Sequence, residues 1–197
     1  MGQGLSKQAK VLSEGQIKAA LAAVSTRRYP ERDRVMVLMS VRAGLRAKEI
    51  AAITWGMLTD AQGKVGNALH LTNDASKGDK GGREIYLSKE LKAAIKELHA
   101  TRNSPEPSEH VIHSERDAGM SANAVTVWFH RLYDGLGFKG ASSHSGRRTA
   151  ITRWAKNAVA AGGSLRDVQQ LAGHASLQTT QRYIEGSSDA KRKLVDM

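Results

Sequence analysis

Between positions 144 and 183 the chain reads His144-Ser-Gly-Arg147, then Leu171-Ala-Gly-His174, then Thr179-Thr-Gln-Arg-Tyr183. An arginine offers a planar fork of donors for phosphate oxygens. A histidine can move a proton near neutral pH. A tyrosine hydroxyl becomes a nucleophile when its neighbours favour the deprotonated form. Together these residue types point to covalent chemistry on a phosphate. Two earlier stretches carry compatible groups. Gly44-Leu-Arg46-Ala-Lys-Glu49 places Arg46 and Glu49 three apart, close enough to share a helix face. Lys77-Gly-Asp-Lys80 lies in a turn-rich basic loop flanked by glycines.

The elements that must position these groups follow from periodicity and caps. Ser13 with Gln16 forms a capping box before an apolar stripe of Ile17, Ala20, Leu21 and Val24. Pro30 suits the first turn of a second helix, with Val35, Leu38 and Met39 in the core. Gly44 closes that helix and another starts within a few residues. Three short strands are expected at Ile53–Trp55, Ala68–Leu71 and Arg83–Leu87, with Lys77 at or near a hairpin. Ser88 and Ser121 each cap a further helix, with a proline-containing loop at 101–110 between them. A helix runs from His144 to about Ala161, stopped by Gly162-Gly163. Its start favours a phosphate, because the positive end of the backbone dipole lies there. Ser164 caps the next helix, with Val168 and Leu171 as core, and Gly173 leaves His174 on a turn. A short helix around Leu177–Ile184 carries Tyr183. The expected class is α+β, mainly helical, with a small three-stranded antiparallel sheet packed on a helical core.

A chain of 197 residues is long enough for one domain with a full core. The formal charge of +11 is spread along the sequence and favours a folded surface for a polyanion, most often nucleic acid. There is no cysteine, which excludes disulfides and thiol chemistry and fits a reducing compartment. No apolar run approaches a membrane span, so the expected location is the cytoplasm and no membrane partner is expected. His110 and His113 lack a suitable third ligand nearby, so no metal site is expected there.

In order, Arg46, Lys77, His144, Arg147, His174 and Tyr183 make a pattern that resembles the catalytic domain of the tyrosine recombinases, the phage integrase family. The matching pieces are Gly44-Leu-Arg-x-x-Glu49, Lys77-Gly-x-Lys80, His144-x-x-Arg147, and Gly173-His174 with Tyr183 nine residues on. Any one piece is weak; all six positions in order are specific, and the resemblance covers roughly residues 11 to 186. It implies that Arg46 and Arg147 hold the scissile phosphate. Tyr183 would be the nucleophile, Lys77 the general acid, His144 a proton-transfer group and His174 a hydrogen-bond donor to the phosphate. Glu49 would support Arg46, and Lys80, Arg83 and Arg148 would contact DNA. No cofactor and no metal are implied. Double-stranded DNA is the implied partner, with copies of the chain assembling on it and accessory DNA-binding proteins joining. Gly146 and Arg148 depart from the family pattern, which commonly has an aliphatic residue and a histidine there. So does the organisation expected here: a flexible arm over 1–12, the catalytic domain over 13–186, and a tail over 187–197 for subunit contact. No amino-terminal core-binding domain is seen before Ser13.

The implied function is site-specific recombination or integration through a 3′-phosphotyrosine. A type IB topoisomerase-like nicking-closing activity uses the same chemistry on one duplex, and a non-catalytic DNA-binding accessory protein keeps only the fold. Singly, each residue has a plainer reading: Arg46 as a surface ion pair with Glu49, Tyr183 as a core tyrosine, His174 and His144 as helix caps.

Overall fold

Seven consecutive buried residues, Val35 to Val41, make helix α2 (Pro30–Val41) the element around which the others pack. A helix apolar on every side has no solvent face to offer. Helices α1 (Glu14–Ser25), α3 (Ala47–Ala52) and α4 (Lys89–Ala100) lie against it, and α5 (Ala122–Gly135) packs on α3. The structure is a computed structural model that describes residues 9–76, 82–115 and 119–183. Helix α6 (Ser143–Asn157), α7 (Leu165–Ala172) and α8 (Leu177–Gln181) follow. The chain groups into two compact units, divided between Ala150 and Ile151. The mainly helical α+β class expected from the sequence is observed.

Helix starts are where the sequence marks them. Ser13 Oγ accepts from the Gln16 N–H at 3.2 Å, and Gln16 Oε1 accepts from the Ser13 N–H at 3.0 Å. Pro30 occupies the first turn of α2. Ser88 and Ser121 accept from the third residue beyond each of them, Leu91 and Ala124. Each such contact satisfies a donor that a helix start leaves open. Leu12, inside the segment expected as an arm, has a buried side chain, and its N–H donates to Thr149 Oγ1 at 2.8 Å.

The sheet has two described strands rather than three. Strands β1 (Ala68–Leu71) and β2 (Arg83–Tyr86) pair antiparallel, with Leu69 opposite Ile85 and Leu71 opposite Arg83. The segment expected as a third strand pairs elsewhere. Thr54 forms a single bridge with His110, Trp55 N–H donates to Glu109 O at 3.0 Å, and Val111 N–H donates to Ile53 O at 3.0 Å. Trp55–Met57 then turns into a 3-10 helix. The buried Trp55 indole meets the His99 ring edge-on at 4.8 Å, and Gly56 N–H donates to Pro107 O at 2.7 Å. The loop after α4 therefore satisfies this backbone and takes it away from β1.

In the second unit Ile151, Val168 and Ala172 form a small buried core, with Trp154, Leu165 and Tyr183 partly buried against it. Leu171, expected in the core, is only partly buried. The α-helical hydrogen bonding of α6 ends at Asn157, and a 3-10 turn at Val159–Ala161 carries the chain to Gly162. Helix α8 ends at Gln181, so Tyr183 lies in the turn just after it. Among the described residues no helix is long and apolar enough to cross a membrane. Lys77, Lys80 and the tail expected over 187–197 lie outside the described residues.

Candidate active site

Glu49 is the centre of the first cluster. Its side chain is 1% exposed, and its two oxygens meet two arginines. Arg46 Nη1 donates to Oε1 at 2.8 Å, and the Arg46 backbone N–H donates to Oε2 at 2.8 Å. Arg83 Nη1 and Nη2 reach Oε1 and Oε2 at 3.0 and 3.2 Å. Burial alone would raise the Glu49 pKa, because a carboxylate is disfavoured away from water. The Arg83 guanidinium, and then Arg46, more than offset this and hold it below the ordinary glutamate value. The plainer reading of an exposed Arg46–Glu49 pair therefore fails on the glutamate. Arg46 itself keeps 27% of its side chain exposed at the start of α3. It is anchored from beneath and open above.

Arg83 belongs to the same cluster. Expected on DNA, its side chain is 8% exposed and its fork is engaged by Glu49. The cause is the strand period of two: Arg83 shares a face with the buried Ile85, and that face points into the molecule. The signal was present in the sequence as Arg83-x-Ile85-x-Leu87.

Arg147 reaches the same turn from α6. Its buried side chain donates from Nη1 to the Gly44 carbonyl at 2.6 Å, two residues ahead of Arg46. Helix α6 starts with paired serines: Ser142 Oγ accepts from the His144 N–H at 3.3 Å, and Ser145 Oγ accepts from the Ser142 N–H at 2.9 Å. His144 is exposed in that first turn, and Arg148 is half-buried one residue past Arg147. Gly146 explains one departure from the family pattern. A Cβ there would fall 2.1 Å from Ser40 Oγ on α2, so only glycine lets the two helices approach.

Asn73 bonds the described residues on either side of 77–81. Its carbonyl accepts from the Ser76 N–H at 3.0 Å, and its Oδ1 accepts from the Gly82 N–H at 2.8 Å. Lys48 Nζ, one residue before Glu49, donates to Ser76 O at 3.2 Å. Ser76 is thus tied to α3.

The second unit holds the other pair. Gly173 takes φ +61° at the end of α7, a left-handed conformation that glycine adopts without a Cβ penalty. The chain thereby turns His174 back on α7: its N–H donates to Gln169 O at 3.1 Å, and Gln169 Nε2 donates to His174 O at 2.8 Å. The His174 ring stacks on Tyr183, with centroids 5.4 Å apart and planes at 25°. His174 Nδ1 lies 2.9 Å from Thr180 Oγ1, and Thr180 O accepts from the Tyr183 N–H at 3.0 Å. The sequence reading assigned no role to Thr180 or Gln169. The available signal was spacing: Thr180 stands three residues before Tyr183 on a helical segment.

Arg46, Glu49, Arg83 and Arg147 thus come together around one turn in the first unit, and His174 and Tyr183 meet in the second. Guanidinium forks can neutralise a phosphodiester, and a tyrosine beside an imidazole has the chemistry of a nucleophile. Among the described residues no group of three metal-ligating side chains occurs.

Comparison with known proteins bears on this arrangement. The model of the phage integrase family matches residues 10–189. Tyrosine recombinase XerC of Leptospira interrogans (serovar copenhageni) is 28% identical over 160 residues, 80% of this chain and 48% of its own. XerC of Pelobacter propionicus is 27% identical over 171 residues, 85% of this chain and 52% of its own. The chain spans about half the length of the curated relatives it matches. The Tn1549 transposon integrase, solved in complex with a circular intermediate DNA, has the same fold. It superposes with a TM-score of 0.77 at 19% identity, covering 98% of this chain and 67% of that one. The XerA recombinase gives 0.74 at 25% identity, covering 93% and 63%.

Proposed function

The chain belongs to the phage integrase family, and on that premise we propose that it is a site-specific DNA recombinase working through a 3′-phosphotyrosyl intermediate. Arg46 and Arg147 neutralise the non-bridging oxygens of the scissile phosphate. Tyr183 Oη attacks phosphorus, and the bond to the 5′-oxygen breaks. Lys77 gives that oxygen its proton, while His144 takes the tyrosine proton and His174 donates a hydrogen bond to the phosphate. A 5′-hydroxyl from another strand then attacks the phosphotyrosine and releases Tyr183. One phosphoester replaces another at each step, so no nucleotide is hydrolysed. Arg83 holds Glu49, which holds Arg46; its work is beneath the site rather than on DNA. Double-stranded DNA is the substrate, read through a basic surface by a chain of charge +11. Lys80 and Arg148 contact its backbone, and copies of the chain meet on it, with accessory DNA-binding proteins as further partners.

One observation carries this reading. Two guanidiniums converge on a single turn, Arg147 on the Gly44 carbonyl and Arg46 braced by the buried Glu49. A phosphodiester bound by both forks would be stabilised by their combined charge and fixed geometry. Among the relatives, the Tn1549 integrase was solved with DNA, which supports the same partner for this chain.

The test is covalent trapping on a duplex from the DNA flanking the gene, nicked so that the short released fragment diffuses away. Wild type should give a protein–DNA adduct, and Tyr183→Phe should give none. Arg147→Ala should lose cleavage far more than binding. Specific binding without any adduct from wild type would leave the accessory-protein reading in place.

A further inference from the structure

We infer that Thr180 is a positioning residue for this chemistry: its hydroxyl donates to Nδ1 of His174 and keeps the imidazole proton on Nε2, the nitrogen that then hydrogen-bonds phosphate. The inference rests on the recombinase reading and adds a residue and a proton position to it.

The direction of the hydrogen bond follows from what surrounds the hydroxyl. Thr180 is 0% exposed, and Oγ1 lies 2.9 Å from His174 Nδ1. Among the described residues that nitrogen is the only hydrogen-bond partner of Oγ1. A hydroxyl has one proton to give and two lone pairs to accept with. If Nδ1 carried the ring proton and donated, the Thr180 O–H would be buried without an acceptor, which is more costly than leaving a lone pair idle. The hydroxyl therefore donates, Nδ1 accepts, and the neutral ring carries its proton on Nε2. A ring with that tautomer is a donor at Nε2 without having to be charged, and stays so across the pH range where histidine is neutral.

The rest of the geometry fixes where that donor points. The Gln169 side chain and main chain hold the His174 backbone, and Arg166 Nη1 donates to Gln169 Oε1 at 2.9 Å. The Tyr183 ring covers one face of the imidazole. Thr180 O holds the Tyr183 N–H, so one residue sets the histidine through its side chain and the tyrosine through its backbone. Changing only the side chain separates these two tasks.

Full-length wild type, Thr180→Val and Thr180→Ser are compared on the nicked duplex. Nitrogen-15 spectra of the His174 ring are recorded at a pH where it is neutral. Wild type should show the Nε2–H tautomer. Thr180→Val, nearly isosteric, should lose that preference and form adduct more slowly by about tenfold or more. Its DNA affinity should stay within about twofold, because Thr180 is fully buried. Thr180→Ser restores the donor and should return both the tautomer and most of the rate. An Nδ1–H tautomer in wild type overturns the inference. So does a Thr180→Val rate equal to wild type, or a Thr180→Ser as slow as Thr180→Val, which would assign the effect to the lost methyl. Should Thr180→Val fail to fold, the wild-type spectrum and the serine variant still decide. Absence of any adduct from wild type sinks the recombinase reading itself, while the spectrum continues to decide the tautomer.

Discussion

The arginine cluster of the first unit and the histidine–tyrosine pair of the second are held by different forces. Around Glu49 the contacts are made by charged side chains, and two of them are distant in sequence. Arg83 comes from 34 residues away, and Arg147 reaches Gly44 across 103 residues. Around His174 the hydrogen bonds to Gln169 and Thr180 are neutral and local. Gln169 and Thr180 are five and six residues from it, and the apolar support is a core of Ile151, Val168 and Ala172. The first arrangement exists only if the chain folds around it. The second is largely a consequence of one helix end, one left-handed glycine and one short helix. Placement of the arginines thus depends on the large core, and placement of Tyr183 on a local turn.

The comparison can be broken first at Glu49. Glu49→Ala leaves Arg46 and Arg83 facing each other beside the core without their shared carboxylate. Removing one partner of a buried ion pair costs about 3–5 kcal/mol. Urea unfolding should show that loss, and adduct formation should fall with it as Arg46 loses its anchor. A loss below about 1 kcal/mol, the range of exposed pairs, would show that the cluster is not held by charge.

Next is the approach of α6 to α2. Gly146→Ala places a methyl on Ser40 Oγ and should destabilise by roughly 1–3 kcal/mol, the usual range for overpacking. Ser40→Ala in the same chain should recover part of it, because the hydroxyl oxygen is the nearest atom. Additive losses in the double variant, measured by the same unfolding, would refute a direct clash.

Acid should separate the two regions. The Glu49 pKa is depressed on folding. Its ionised form therefore contributes stability above the unfolded value, about pH 4.3, and that contribution is lost as pH falls through the lower folded value. Glu49→Gln should flatten the acid limb of the stability profile. A variant in the second unit, such as Gln169→Ala, should keep the wild-type limb. Equal limbs for Glu49→Gln and wild type would mean that this carboxylate is not the acid-sensitive one.

The smallest effect is expected at Gln169 itself. Gln169→Ala removes one neutral hydrogen bond to the His174 carbonyl and should cost about 1 kcal/mol. The cost should not change with salt, unlike effects on exposed charges. A salt-dependent loss of several times that size would place ionic support in the second unit as well.

Much of this was legible in the sequence because its causes are local. Ser13, Pro30, Ser88 and Ser121 start helices through contacts within three or four residues, and Gly173 ends one through its own φ angle. The order of Arg46, His144, Arg147, His174 and Tyr183 could be read directly, since each sits at a helix boundary that its neighbours define. The third strand could not. Ile53–Trp55 has strand-like residues, but which backbone it pairs with depended on where the loop at 105–111 lay. The pairing of Arg83 with Glu49 stayed hidden for a related reason: a basic residue beside a basic stretch reads as a DNA contact until the strand's inward face is known.

What the sequence determined by itself was the set of reactive groups, their order and the local turns that carry them, because propensity, capping and spacing act over a few residues. What only the tertiary structure decided was who neutralises whom. Glu49 takes Arg83 as well as Arg46, Arg147 leans on the Gly44 carbonyl, and Gly146 yields its side chain to Ser40. These depend on distances between residues far apart in the chain, and such distances are set by how the core packs.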